Sequence, residues 1–515
     1  MIIASAKFRV CFIVVAIAAI SFLYYSMLID YRAIDANGDN MYHAYMARTV
    51  FSKQPFYIPL INYFYRNDSL PHAGYDFPPL FSLLLGIIYK IFGENYYYGI
   101  YFNAFVASAS LIPLFLIGRR LSGNTAGLIA SLALSLNLFW LFSITKGLLE
   151  PLFVFCAMWA TYFLFLYGEK ERRSALIISA FLSGLAYLAR YNGLVLVFVA
   201  LIYLLTTREK HIKERLKESG ILIAVFVLTV FPWLLRNYVE FHDPFMYVGK
   251  YFMWLELGVP GHAVCKEVPS FRLYFDTHTV FDFVKRFFDS ARSSFPELNR
   301  TSNYFLLIVL HQAVFGVRRF FNRKFLFFYL FVFFGYLFVM LHPFALDPRH
   351  FLPFYPLLYL GGSVYACRSV SYYLMQRSLF NYLKLTILLV CIVFSLTSLV
   401  GQYRKDFDML YRSYPFSRMA EELGGWVSRY TNTEDVIMMQ YAMVPLYYSG
   451  RGSVTAPALA SQEDIDNLVD RYGVTYFADL FYDGPLPSGF LEVQRFRYKD
   501  QVIKVFHKEG KSGAN

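Results

Sequence analysis

Several acidic and basic side chains recur in short stretches that border long apolar runs. Asp35 and Asp39 fall in Asp35-Ala-Asn-Gly-Asp39-Asn-Met-Tyr42-His43, and Lys146 and Glu150 flank a turn. Arg190 opens Arg190-Tyr-Asn192. Trp233, Arg236 and Asn237 precede His242-Asp243, and Asp347, Arg349 and His350 form the last group. A carboxylate can take a proton from an attacking hydroxyl. Cations can hold and neutralise a phosphate leaving group. Each group also has a plainer reading. Arg236 and Arg349 suit interfacial anchors beside aromatic residues, Glu150 suits the start of a helix, and a loop aspartate such as Asp39 is most often simply solvated. Five turns carrying charge at one depth nevertheless favour a single carboxylate-plus-cation cavity. Its expected members are Asp39, Tyr42, His43, Lys146, Glu150, Arg190, Arg236, Asn237, Asp243, Arg349 and His350.

The elements that position these residues follow from composition. Only 16% of the chain is charged and mean hydropathy is +0.42, against about a quarter charged in a soluble domain, so much of the surface must face lipid. A bilayer core takes roughly 20 apolar residues per helix. On that basis the sequence predicts an α-helical polytopic membrane protein of about eleven spans, near 8–28, 99–118, 124–142, 148–168, 174–190, 192–207, 219–238, 303–317, 325–342, 350–367 and 383–402. The run 79–92 is short and follows Pro78-Pro79, so it is expected to dip into the outer leaflet. With the N-terminus inside, Arg119-Arg120, Lys170 with Arg172-Arg173, and Arg208, Lys210, Lys213, Arg215 and Lys217 all fall in inner loops. So do Arg318-Arg319 with Arg323-Lys324, and Arg368, Arg377 and Lys384. That arrangement satisfies the positive-inside rule. It puts every chemistry-bearing turn, and the C-terminal tail, outside.

The expected organisation is a membrane unit over 1–405, with long outer loops at 29–98 and 239–302, and a small extracytoplasmic α/β domain over 406–515. In the second loop, residues 280–288 read as an interfacial amphipathic helix. In the tail, helix-like stretches at 419–430 and 462–472 alternate with strand-like runs at 435–440, 474–479 and 501–507. The first apolar run lacks a small-residue cleavage site and reads as a retained span. Cys11, Cys156, Cys367 and Cys391 lie in or beside apolar runs and Cys265 stands alone in a polar stretch, so neither a disulfide framework nor a cysteine metal site is expected. Asn67-Asp-Ser69 and Asn299-Arg-Thr301 are glycosylation triplets of a kind that arises often by chance.

The formal charge of +12 does not point to nucleic acid, because the basic residues serve orientation. Nucleotide sugars are scarce outside the cytoplasm, so a sugar used there is best supplied on a lipid phosphate. The alternative is a transporter or flippase of a lipid-linked or small anionic substrate. It is disfavoured by charge clustered at one face and by the absence of an inverted repeat. A non-catalytic assembly protein using 406–515 is a further alternative, and it would have no need of Asp39.

Gly38-Asp39-x-x-Tyr42-x-x-Tyr45-x-Ala47-Arg48 resembles the first outer loop of GT-C superfamily glycosyltransferases, in the branch of protein O-mannosyltransferases and lipid A aminoarabinose transferases. Pro78-Pro79-Leu80, Gly118-Arg119-Arg120-Leu121-Ser122-Gly123, Glu150-Pro-Leu-Phe153, Leu188-Ala-Arg190, Pro232-Trp233-Leu-Leu-Arg236-Asn237 and Arg349-His-Phe-Leu-Pro353 continue the likeness in order. The resemblance implies transfer of a sugar from a polyprenyl-phosphate donor to an acceptor outside the cytoplasm, with inversion; glycan, protein and lipid acceptors all fit the sequence, and with no organelle-targeting signal evident a plasma membrane is the expected location. The resemblance also implies that Asp39 is catalytic and that Arg236 and Arg349 bind the donor phosphate. Two departures stand out. Asn40 replaces the second acidic residue often found there, which disfavours a divalent metal, and His350 stands where tyrosine is common.

Overall fold

The computed structural model describes residues 2–31, 38–64, 69–206, 211–255, 268–315, 323–340, 348–375, 378–407, 414–458, 460–479, 482, 484–498 and 501–509. Asp35, Asn67, Asp68, Arg208, Lys210, Cys265, Arg318, Arg319, Asp347 and Arg377 lie outside these residues.

In hydrocarbon every backbone polar group needs a partner within its own segment, so apolar runs of this length become helices. Among the described residues, four are long and apolar enough to cross a membrane: Tyr97–Ser122, Glu150–Lys170, Ile212–Phe241 and Leu379–Asp406. A fifth candidate is a bent pair, Asn124–Ser135 and Leu138–Thr145, meeting at 57° where a single span 124–142 was expected. Asn137 explains the break. Its side chain accepts from the Trp140 amide at 2.9 Å, capping the second helix, and its Nδ2 donates to Thr301 O and Tyr359 Oη at 2.7 and 2.9 Å. Leu80–Phe92, Arg173–Ala189, Gly193–Leu205 and Phe305–Phe315 are shorter apolar helices. Where a span 350–367 was expected, a 3-10 helix, Pro348–Phe354, precedes the α-helix Tyr355–Met375.

The helices share one core, closely packed where small residues meet. A Cβ on Gly118 would lie 2.6 Å from the Cα of Gly127, so two backbones touch there. In the 239–302 segment the amphipathic stretch is a full helix, Val280–Thr301, started by a reciprocal Thr279–Asp282 cap. Thr301 of the second glycosylation triplet is buried in it.

Among the described residues, eight strands complete the architecture: β1 (Tyr57–Ile58), β2 (Leu60–Ile61), β3 (His72–Ala73), β4 (Val436–Met439), β5 (Gly452–Thr455), β6 (Tyr476–Asp479), β7 (Phe490–Tyr498) and β8 (Gln501–Lys508). β1 and β3 form an antiparallel pair, and the other six form one sheet in the order β2-β5-β4-β6-β8-β7. The first four strands of that sheet run parallel, and β8 and β7 are antiparallel. β2 comes from the 29–98 segment, so a sheet expected to belong wholly to the tail borrows its edge from residues nearly 400 positions earlier.

The helix Gly38–Thr49, which carries Asp39, is held on two sides. Towards the membrane helices, Gly86 of Leu80–Phe92 approaches so closely that a Cβ would sit 2.9 Å from Ala47 O. On the other side Met41, Tyr42, Ala44 and Met46 share a hydrophobic core with Leu423, Ile437, Val444 and Leu446. Arg48 lies 4.4 Å over the Tyr447 ring and donates to Glu94 at 2.7 Å.

Candidate active site

Asp39 stands in the first turn of its helix, where a carboxylate is favoured by the backbone dipole. Arg349, from the 3-10 helix Pro348–Phe354, donates from Nη1 to Asp39 Oδ2 at 2.6 Å, with both side chains about a quarter exposed. The neighbouring His350 Nδ1 lies 3.5 Å from Arg190 Nη2. Arg190 in turn is ion-paired with Glu150. Proline at the second helical position starts the Glu150 helix, and the chain leaves Arg173–Ala189 at Arg190 in an extended conformation. Four turns distant in sequence thus bring Asp39, Arg349, His350, Arg190 and Glu150 together.

His43, one helical turn after Asp39, is fully buried between Phe77 and Phe81. Its Nδ1 is 2.9 Å from Ser82 Oγ. Burial depresses its pKa to about 4; Asp39 pulls the other way and Arg190 adds to the depression. The ring is therefore neutral at pH 7. Tyr42 is buried as well, and burial, then the Asp76 charge, hold its phenol strongly protonated. Lys146 closes the turn before Glu150. Its neighbour Gly147, at φ +66°, lies against Asn40: a Cβ there would be 2.4 Å from the Asn40 amide nitrogen. That turn is thus seated directly beside Asp39.

Among the described residues, the Asn40 amide, Tyr42 Oη, His43 Nε2 and Glu150 Oε2 are buried with no hydrogen-bond partner. Buried polar atoms are usually satisfied, and four such side chains gathered beside Asp39 mark a site built for something polar. No three His, Cys, Asp or Glu side chains gather to hold a metal ion among the described residues.

The second basic candidate is placed differently. Arg236 donates to Gly74 O at 2.9 Å and to Asn237 Oδ1 at 3.0 Å, and stacks 4.7 Å over Trp233. It ties the 29–98 segment, at Gly74 and Phe56, to the helix Ile212–Phe241. Asn237 donates to Met246 O at 3.2 Å, and Asp243 is paired with Lys250 and accepts from the Phe245 amide. These three form a loop anchor adjoining Tyr42. Two residues were missed, Tyr63 and Asp76. Burial and then the charges of Asp39 and Asp76 raise the Tyr63 phenol, with Arg349 opposing, so Tyr63 borders the Asp39–Arg349 pair. Asp76 directly precedes Phe77-Pro78-Pro79, and an acid beside that motif was the available signal.

Residues 76–235 match the family model of dolichyl-phosphate-mannose-protein mannosyltransferase. No curated protein matches the chain. Among solved structures, ArnT from Cupriavidus metallidurans bound to undecaprenyl phosphate superposes with a TM-score of 0.58 at 13% identity, covering 96% of this chain and 97% of that one. The chain has the fold of the GT-C membrane glycosyltransferases. The apo oligosaccharyltransferase of Archaeoglobus fulgidus gives a TM-score of 0.59 at 13% identity, over 91% of this chain and 69% of that chain. The oligosaccharyltransferase AglB of Archaeoglobus fulgidus, in complex with an inhibitory peptide and a dolichol-phosphate, gives 0.56 at 11% identity, over 90% and 69%. The GT-C fold thus extends well beyond the segment matched by the family model.

Proposed function

We propose that this protein transfers a sugar from a polyprenyl-phosphate donor to an acceptor at the outer face of the membrane, with inversion at the anomeric carbon. The observation that carries this reading is the pairing of Asp39 with Arg349 at the mouth of a cluster of buried, partnerless polar atoms. Asp39 is the base. The acceptor heteroatom forms a bond to the anomeric carbon, the bond from that carbon to the phosphate oxygen breaks, and its electron pair leaves with polyprenyl phosphate. The acceptor proton passes to Asp39. Arg349 holds the departing phosphate, exchanging its carboxylate partner for the phosphate oxygens. Arg190 and His350 extend the positive rim, and Glu150 keeps Arg190 in place.

The positive-inside pattern supports eleven spans, a cytoplasmic N-terminus, a membrane unit ending near residue 405, and an active site and 406–515 domain outside the cell. Like relatives that bind undecaprenyl phosphate or dolichol phosphate, the chain would hold its donor's tail between the spans. Purified protein in nanodiscs, given a sugar-labelled polyprenyl phosphate and a crude envelope acceptor, should release free polyprenyl phosphate. Import of the intact lipid-linked sugar into vesicles, without cleavage, would replace this reading with the flippase.

A further inference from the structure

Two turns along the helix from Asp39, the first outer loop and the C-terminal sheet enclose a second, separate cleft of about 410 Å³. Tyr45 and Thr49 supply one wall, six and ten residues beyond Asp39, hence roughly 9 and 15 Å along the helix axis. Ser52 and Tyr57 also line it, together with Glu434 and Asp435 from the loop before β4. A cleft of this size lies within the ordinary range for small-molecule sites, about 300–1,000 Å³.

Its chemistry is selective. Hydroxyls, an amide (Gln54) and two carboxylates line it, with tyrosine and proline rings and, among the described residues, no lysine or arginine. Arg451, between the two lining glycines, turns away to donate to Thr431 O at 2.9 Å. Phosphates and acidic sugars are thereby disfavoured. Both tyrosine rings are half-buried, and Tyr57 is fixed by donating from Oη to Glu240 at 2.8 Å. Asp435 is likewise set in place by the Asn432 amide at 2.6 Å. Fixed ring faces beside carboxylates and hydroxyls match a neutral, polyhydroxylated chain. The ring faces take its C–H surfaces and the polar groups take its hydroxyls.

We propose that this cleft binds a neutral oligosaccharide, the distal part of a glycan acceptor. The assignment to the acceptor rests on the glycosyltransferase reading; the cleft's affinity for sugar does not. Because Tyr45 and Thr49 belong to the helix that carries Asp39, a glycan seated here is fastened to the same rigid element as the base.

The test uses full-length protein in nanodiscs and linear manno-, gluco- and galacto-tetrasaccharides, with saturation-transfer NMR as the readout. At least one neutral tetrasaccharide should bind, and Ser52→Trp, which fills the cleft from an exposed position, should weaken it at least tenfold. Glu434→Lys, also at an exposed position, should do the same. Asp39→Asn should bind the tetrasaccharide as the native protein does while losing sugar transfer, so the two readings fail separately. Binding by none of the three, binding untouched by both cleft variants, or preferential binding of tetralysine would overturn the proposal.

Discussion

Arg349 Nη1 and Asp39 Oδ2 lie 2.6 Å apart, although 310 residues separate them in sequence. The resting protein therefore holds its candidate base and its candidate phosphate ligand against each other. A donor phosphate entering beside Arg349 competes with the carboxylate for the guanidinium. On the proposed function, donor binding and release of the base become one event, and Asp39 is unmasked only when a leaving group is in place.

Replacing Arg349 with alanine is expected to weaken donor binding. A hydrogen bond to a charged group contributes about 1.5–3 kcal/mol, so affinity for labelled polyprenyl-phosphate sugar should fall by between about tenfold and 150-fold. Thermal stability in detergent should change little, because Arg349 is partly exposed. Unchanged donor affinity in nanodiscs would make Arg349 an anchor only.

Glu150 and Arg190 behave differently, because the carboxylate is only 2% exposed. Removing one partner of a buried pair strands the other, which costs about 3–5 kcal/mol. Arg190→Gln should therefore lower the melting temperature markedly, and adding Glu150→Gln should restore most of the loss. If the double variant is no more stable than Arg190→Gln, the pair is not what holds this turn.

The helices were legible because lipid imposes long apolar runs, and Asp39, Glu150, Arg190 and Arg349 were legible because a charge beside such a run needs a reason. Their pairing was not, since nothing local links Arg349 to a carboxylate 310 positions away. Arg236 looked equivalent to Arg349 in sequence: both are lone arginines near aromatics at an apolar boundary. Only the fold shows that loop carbonyls occupy one and Asp39 the other. β2 is two residues long, too short to show any alternation, and its role as a sheet edge depends wholly on β5. The break at Asn137 was hidden because the immediate neighbours, Leu136 and Leu138, are apolar, and one buried amide decides it.

Orientation is open to a direct check. A cysteine introduced at Lys213 should resist a membrane-impermeant maleimide in intact cells, while cysteines in the Tyr191–Asn192 turn or near Glu509 should react. Labelling at position 213 from outside would reverse the topology.

His43 predicts a pH dependence of stability. An unfolded histidine titrates near 6.5, whereas the folded protein lowers His43 to about 4. Below pH 6.5 the unfolded chain takes up a proton that the folded chain refuses. The stabilisation is thus complete above 6.5 and is lost as pH falls towards 4, amounting to roughly 3 kcal/mol over that window. Melting temperatures from pH 7 to 4.5 should fall less steeply in His43→Gln than in the native protein. Parallel curves would mean that other groups dominate.

Asp39→Asn is the decisive substitution, because it preserves shape while removing charge and basicity. Loss of a general base lowers turnover by about 100-fold or more, and the amide also releases Arg349 from its ion pair. Donor affinity should consequently stay level or rise while transfer collapses, a combination that simple misfolding cannot produce. Asp35→Asn, four residues earlier in the same loop, should do far less. The measurements are single-turnover release of polyprenyl phosphate and equilibrium binding of the labelled donor, on the same nanodisc preparation. Near-native turnover in Asp39→Asn would move the base elsewhere. Glu150 would be the next candidate, since it is the remaining carboxylate in the cluster with a buried oxygen lacking a hydrogen-bond partner among the described residues.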